Sequence, residues 1–282
     1  KSKISHLKIL GQKNPAAAEK LLRMLEVASR DGLAAYFDVY PYTASAVVLY
    51  LLLPEWATLG GKTELVKKIK NKNIRADIVR DMETKNYPYD KITIATAALG
   101  QNFTGRSLAQ IARDQNVSGP EAVLNLILAA RDQVIVFWHD LDENILDALI
   151  KHPQAMIATD GSGYNQLDRF SKQVPHPRSF GTTARVLAKY VREKKILSLE
   201  TAVHKMSAQP AGWAGLAGRG ILAKNNFADL VGFDPQNIKD LATYENPFKY
   251  PTGLNYVVVN GQLAVKNGQY QNILAGKVLR RI

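Results

Sequence analysis

Cysteine is absent from the 282 residues, which excludes disulfides and thiolate metal ligands from this chain. Long apolar runs are absent as well. The longest, "SAVVLYLLLP" (Ser45 to Pro54), is far short of the roughly 20 residues that span a bilayer, and the N-terminal residues have no apolar signal-peptide core. The expectation is a soluble, cytoplasmic protein without a membrane partner. Glycine and proline, at 19 and 12, are too few and too irregular for a collagen-like or low-complexity chain. With 46% hydrophobic residues there is enough apolar material for one or two packed domains.

Acidic residues are outnumbered, 25 against 37 basic, for a net charge of +12. The lysines are scattered through helical segments such as "ELVKKIKNKNIR" (Glu64 to Arg75) and "YVREKKIL" (Tyr190 to Leu197), without the interleaved aromatics of a nucleic-acid surface. A solvated basic surface follows, with no nucleic-acid partner and a field that favours anionic substrates.

What is present alternates between strand and helix, an α/β pattern. "SKISHLK" (Ser2 to Lys8) reads as a strand. Asn14 then caps a helix with Pro15 at its first position, Leu21, Leu22, Leu25 and Ala28 on one face and Gly32 at its end. "LAAYFDVYPY" (Leu33 to Tyr42) is the next strand, ended by Pro41, and a strand–helix–strand unit implies a parallel pair. "QAMIATDGSG" (Gln154 to Gly163) is an apolar strand stopped at Thr159-Asp160-Gly161, and Ser198 caps a helix carrying Leu199, Ala202, Val203 and Met206 at helical spacing.

Between Pro54 and Asp132 the pattern shifts to short charged helices and one strand, "KITIATAA" (Lys91 to Ala98), with a capping box predicted at Ser118-Gly-Pro-Glu121 ahead of Leu124, Ile127 and Leu128. From Gly220 onward "ADLVGFDP" (Ala228 to Pro235) and "YVVVNGQLAVKNGQY" (Tyr256 to Tyr270) read as strands of a small β module. The latter is folded at an Asn260-Gly261 hairpin turn and ended by Asn267-Gly268.

Polar groups collect at the predicted strand ends: His6 with Lys8, Tyr40 with Tyr42, and Asp160 with the loop after it. Chemistry in a parallel α/β barrel sits at the C-terminal ends of the strands. Taken singly, each group has an ordinary structural explanation. A lone His is more often a hydrogen-bonded core residue than a ligand, an Asp before Gly is usually a turn former, and Tyr-Pro-Tyr is usually packing.

Taken in order, "ISHLK", "FDVYPYTAS", "MIATDGSG", "VPHPRSFGTTARVLAKYVRE", "LETAVHKMSAQPA", "GLAGRGIL" and "ADLVGFDP" resemble the C-terminal half of the N-acyl-D-amino-acid deacylases, or D-aminoacylases, of the amidohydrolase superfamily. The resemblance implies strands six to eight of a (β/α)8 barrel with part of a β-sandwich. It assigns barrel strands six and seven to residues 1–53 and an inserted subdomain to residues 54–132. Barrel strand eight and the closing helices take 133–219, and the C-terminal part of the sandwich takes 220–282. It also implies zinc-dependent hydrolysis of N-acyl-D-amino acids, small-molecule substrates. An N-terminal half of the barrel is expected from a second chain or a further segment. Without that half, Ile4, Phe37 or its neighbours, and Ile157 are expected to expose inward apolar faces.

On the matching positions the resemblance makes His6 a Zn²⁺ ligand, with the other ligands, a cysteine among them, on earlier strands. Asp160 becomes the general base that takes a proton from the attacking water and passes it to the leaving amine. Lys8, Tyr40 and Arg178 become the receptor for the substrate α-carboxylate. His176 is read as shaping its loop, and His139, His152 and His204 receive no role. Where close relatives carry a carboxylate-binding Ser this chain has Ala46, with Ser45 one place earlier. The rival readings are a cyclic-amide hydrolase of hydantoinase type and a non-catalytic remnant of the fold.

Overall fold

The computed structural model describes residues 2–10, 14–33, 35–95, 103–130, 134–164 and 174–280. Along the chain come β1 (Ser2–Ile4), α1 (Pro15–Arg30), β2 (Ala35–Val39) and β3 (Ser45–Val48). They are followed by α2 (Glu55–Thr58), α3 (Gly61–Lys70), α4 (Lys72–Glu83), β4 (Ile92–Ile94), α5 (Leu108–Gln115), α6 (Gly119–Ala129) and β5 (Ile135–Trp138). The remainder is α7 (Glu143–Lys151), β6 (Ala155–Ile157), α8 (Arg178–Arg185) with a π-helical continuation (Val186–Glu193), α9 (Leu199–Met206), α10 (Ala208–Ala214) and the strands β7 (Leu230–Phe233), β8 (Leu254–Val259), β9 (Gln262–Lys266) and β10 (Gln269–Tyr270). The described residues form two compact units, 2–42 with 141–164 and 177–280, and 43–140 with 174–176.

In the first unit β1, β2 and β6 make a three-stranded parallel sheet in that order, with Ile4 opposite Phe37 and Val39 opposite Ile157. The crossover from β1 to β2 is α1. The Asn14 side chain accepts from the Ala17 N–H at 3.2 Å, Pro15 needs no partner for a first-turn N–H, and Gly32 leaves the helix at φ 76. Leu25 is the buried centre of its inner face. Phe37, Val39 and Ile157 pack with Leu146, Leu149 and Ile150 of α7 and with Tyr190 and Ala202.

Phe37 (0% exposed) and Ile157 (8%) are therefore covered, contrary to the sequence expectation, and of the three only Ile4, at 44%, shows a large apolar surface. Phe37, Val39 and Ile157 point to the side of the sheet that α1 and α7 cover, and Asp38 between them points to the other. Covering a side chain the size of Phe37 contributes about 2–3 kcal/mol. The strands of this sheet are shorter than their patterns predict. The first ends at Ile4 because His6 turns the chain at φ 40, and the third ends at Ile157 before Asp160 at φ 45. In α9 the Ser198 cap forms, accepting from Thr201 N–H at 3.1 Å, but Val203 of the predicted apolar face is 40% exposed while Lys205 is 2% exposed.

The second unit holds an antiparallel sheet in the order β3-β5-β4, covered by helices around a core that includes Leu52, Ile69, Met82, Ile92 and Leu124. It is wider than the segment 54–132 because β3 and β5 flank that segment and pair with one another across Ala46 and Phe137. The predicted strand Lys91 to Ala98 appears as β4, with residues 96–98 and Asp132 outside the described residues. At Ser118 only half of the predicted capping box forms. The hydroxyl accepts from Glu121 N–H at 3.3 Å, but the Glu121 carboxylate turns to Arg75, which donates through Nε at 2.9 Å. The complete box is at Ser107 and Gln110.

The β module is an antiparallel sheet in the order β10-β9-β8-β7 within the first unit. Asn260 (φ 49) and Gly261 (φ 80) form the two-residue hairpin turn from β8 to β9, where both central residues need positive φ. Asn267-Gly268 does not end the ladder but makes a second turn into β10. Among the described residues no helix is long and apolar enough to cross a membrane.

Candidate active site

Because β1, β2 and β6 run in one direction, the residues that follow Ile4, Val39 and Ile157 all leave the same edge of the sheet. Two of them, His6 and Asp160, occupy the left-handed region, with φ of 40 and 45. Such backbone costs about 1–3 kcal/mol and persists where the surroundings hold it.

The surroundings of His6 are built by Asp38. This carboxylate lies in β2, is 6% exposed, accepts the His6 N–H at 2.6 Å and pairs with Lys3. Its backbone carbonyl accepts the Leu7 N–H at 2.8 Å. The turn after β1 is thus fixed to β2 through side chain and main chain together. Asp160 is held from the other side. Gly161 lies so close to α8 that an added Cβ would come within 2.6 Å of Ser179 Oγ and 2.9 Å of Ser179 Cα. That approach brings Arg178, the first residue of α8, to the turn, with Arg178 Nη1 at 3.1 Å from Asp160 Oδ2.

The five residues singled out in the sequence lie in one continuous line. Lys8 Nζ is 3.1 Å from His6 Nδ1 and 5.4 Å from the centroid of the Tyr40 ring, and the Arg178 guanidinium carbon is 4.6 Å from the same ring. Arg178 then reaches Asp160. Both cations are within the range of cation–π attraction to a ring that is 4% exposed. The result is a strip with two positive heads, one aromatic surface, one imidazole and one carboxylate.

Residues 31–265 match the profile of the amidohydrolase family. The chain belongs to that family. It is 30% identical over 279 residues to the D-aminoacylase of Alcaligenes xylosoxydans xylosoxydans, covering 99% of this chain and 48% of the relative. It is 31% identical over 278 residues to the N-acyl-D-glutamate deacylase of the same organism, again covering 99% and 48%. A crystal structure of D-aminoacylase aligns with a TM-score of 0.75 at 27% identity, over 99% of this chain and 49% of that one. The N-acyl-D-glutamate deacylase of Bordetella bronchiseptica, solved with zinc and a phosphonate that mimics the tetrahedral intermediate, aligns at 0.71 and 27% identity over 93% and 46%. This chain spans about half the length of the relatives it matches.

For a divalent metal the chain offers the imidazole of His6, with the Asp160 carboxylate at the same end of the sheet. Among the described residues no three His, Asp or Glu side chains gather into a metal-binding group. A zinc site takes about three protein ligands, so His6 fits as one member of a donor set. The Lys8 ammonium donates to His6 Nδ1, which places the ring proton on Nε2; ligation through Nε2 requires Lys8 to yield that position.

The remaining histidines are occupied elsewhere. His176 is buried at 5% exposure in the second unit, with Nε2 3.1 Å from the Ala44 carbonyl and its ring edge-on to Phe137. His152 packs on Phe37, and its Nδ1 accepts from Gln154 N–H at 3.3 Å. Burial, with the nearby Lys205 charge, lowers its pKa. His139 donates its backbone N–H to the Lys91 carbonyl at 2.9 Å, and the backbone carbonyl of His204 accepts from the N–H of Ser207, the C-cap of α9. Asp38 escaped the sequence reading, although a carboxylate inside the apolar run "AYFDVY" was a visible signal.

Proposed function

We propose that this chain is part of a zinc-dependent N-acyl-D-amino-acid deacylase, which hydrolyses the amide of N-acyl-D-amino acids to a D-amino acid and a carboxylate. The supporting observation is the line His6, Lys8, Tyr40, Arg178, Asp160 along one edge of a parallel sheet, in a chain whose relatives are D-aminoacylase and N-acyl-D-glutamate deacylase. In this reading β1, β2 and β6 are strands six to eight of a (β/α)8 barrel, the second unit is an insertion, and β7 to β10 are part of a β-sandwich. The earlier strands and the other metal ligands come from polypeptide beyond these residues, in keeping with relatives about twice as long.

Zinc, when bound, supplies a Lewis acid for the amide carbonyl and lowers the pKa of water. The residues of this chain do the rest. His6 presents an imidazole to the metal from a turn that Asp38 fixes. Arg178 grips the substrate α-carboxylate with its planar fork, Lys8 adds a point charge, and the Tyr40 ring keeps both heads in register. Asp160 takes the proton of the attacking water and returns it to the amine as the C–N bond breaks.

The test is hydrolysis by this chain together with the polypeptide, in the same chain or a second one, that completes the barrel, supplied with N-acetyl-D-amino acids, their L-enantiomers and a cyclic amide. Turnover of the D series that stops on chelation and returns with zinc is expected. A zinc-loaded protein that leaves the D series intact overturns the reading, and one that opens the cyclic amide instead points to the hydantoinase type.

A further inference from the structure

Resting on the carboxylate receptor just described, we infer that Arg185 is a positioning residue that sets the spacing between Tyr40 and Arg178. Tyr40 follows β2 and Arg178 begins α8, so something must hold these two elements in register. Arg185 Nε donates to the Pro41 carbonyl at 2.7 Å, directly beside Tyr40. Its Nη1 donates to Asp240 Oδ2 at 3.0 Å, and its guanidinium carbon sits 4.7 Å from the centroid of the Tyr42 ring. Tyr42 completes the tie: its hydroxyl donates to the Pro177 carbonyl at 3.4 Å, directly beside Arg178, and its N–H donates to the Tyr40 carbonyl at 2.9 Å.

Arg185 therefore grips the residue after Tyr40 and supports the ring that grips the residue before Arg178. Three further observations show that this arrangement is built in. Gly181 of α8 faces it, and an added Cβ would come within 2.4 Å of the Tyr42 hydroxyl and 3.0 Å of Asp240 Cβ, so only glycine lets both side chains pass. Tyr42 is 3% exposed, and burial, reinforced by the Asp240 charge, pushes its hydroxyl well above the usual phenol range, which keeps it a donor. Arg185 is the last residue of α8 before the helix widens to π geometry, a departure from α-helix common at functional sites. Asp240 belongs to the segment between β7 and β8, so the β module contributes to the alignment of the receptor.

The experiment compares R185K and Y42F with the wild type in the full-length, zinc-loaded enzyme, using an N-acetyl-D-amino acid and its carboxamide analogue. A lysine at 185 cannot serve Pro41, Asp240 and the Tyr42 ring together. R185K is expected to raise KM for the acid on the order of 10-fold, because a displacement of about 1 Å costs up to about 100-fold. Y42F, which keeps the fold and loses one hydrogen bond, is expected to raise it roughly 2- to 10-fold. In both variants kcat and the kinetics of the carboxamide stay near wild type.

Loss in equal proportion for acid and carboxamide in both variants overturns the inference, since it reports a general structural role, and so do wild-type kinetics in both. A wild type that treats acid and carboxamide alike overturns the receptor reading itself. R178K separates the two failures, because it impairs the acid selectively if the receptor exists, whatever Arg185 does.

Discussion

The Arg178 guanidinium lies 3.1 Å from the Asp160 carboxylate, with Gly161 packed against Ser179 to make the approach possible. One cation thus faces both the carboxylate proposed as general base and the place proposed for the substrate carboxylate. The two anions are rivals for a single fork, and a substrate that captures Arg178 leaves Asp160 to act on water. On the proposed roles, binding and proton transfer are coupled through this one side chain.

Asp160→Asn tests that coupling. The amide cannot take a proton, so kcat should fall by about 100-fold or more, while zinc content stays nearly unchanged. Substrate binding should at the same time tighten, because the neutral side chain competes less for Arg178. Single-turnover kinetics and metal analysis check both effects, and an Asn variant with normal turnover would remove Asp160 from the mechanism.

Arg178→Lys keeps the charge and loses the fork. For a planar carboxylate this is not a conservative change, and kcat/KM for N-acyl amino acids should drop on the order of 10- to 100-fold. The carboxamide analogue should be little affected. Equal losses on the two substrates would mean that Arg178 does not read the carboxylate.

Local signals carried the sequence reading a long way. Asn14, Pro15 and Gly32 bound α1, Pro41 follows β2, and the positive φ of Asn260 and Gly261 makes the β8–β9 turn. His6, Tyr40 and Asp160 lie past the strand ends, whereas the apolar runs had put His6 and Tyr40 in the last residues of longer strands, and their roles rest on resemblance. What local pattern cannot encode is pairing at a distance. Asp38 holds the His6 turn from another strand, Arg185 meets Asp240 from the β module, and Glu121 leaves its own helix cap for Arg75. Helical spacing likewise identified the apolar residues of α9 without fixing how that helix is rolled, so Val203 is exposed and Lys205 buried.

Gly161→Ala should separate Arg178 from Asp160. The new Cβ meets a backbone carbon as well as a hydroxyl, so the start of α8 has to move, at a cost of about 1–3 kcal/mol. Gly163→Ala is the control, because among the described residues nothing lies within 4 Å of a Cβ there, and it should fall within about 0.5 kcal/mol of wild type. Adding Ser179→Ala should restore only part of the loss, since the clash with the α8 backbone remains. Denaturation of the four proteins distinguishes these outcomes, and equal stability of the two alanine variants would show that the Gly161 approach is not tight.

Lys205 makes the stability of the first unit depend on alkaline pH. It is 2% exposed and donates to the carbonyls of His152 at 2.5 Å and Ala155 at 3.1 Å, where β6 begins. Burial pulls its pKa down to about 8, against about 10.4 in an unfolded chain. Below pH 8 both states carry the proton, and this group contributes no slope. Between pH 8 and about 10 the unfolded state binds more protons than the folded one, so stability rises with pH across that window. The buried Tyr42 and Tyr190, whose hydroxyls burial pushes upward, act in the opposite direction at higher pH, but they are common to wild type and variant and cancel in a difference. The difference in unfolding free energy between wild type and Lys205→Met should therefore be flat from about pH 7 to 8, where His152, whose pKa Lys205 also lowers, is neutral in both states, and then move in favour of the wild type up to about pH 10. Denaturant titrations across that range measure it, and a difference that stays flat throughout would mean that the folded protein keeps Lys205 charged.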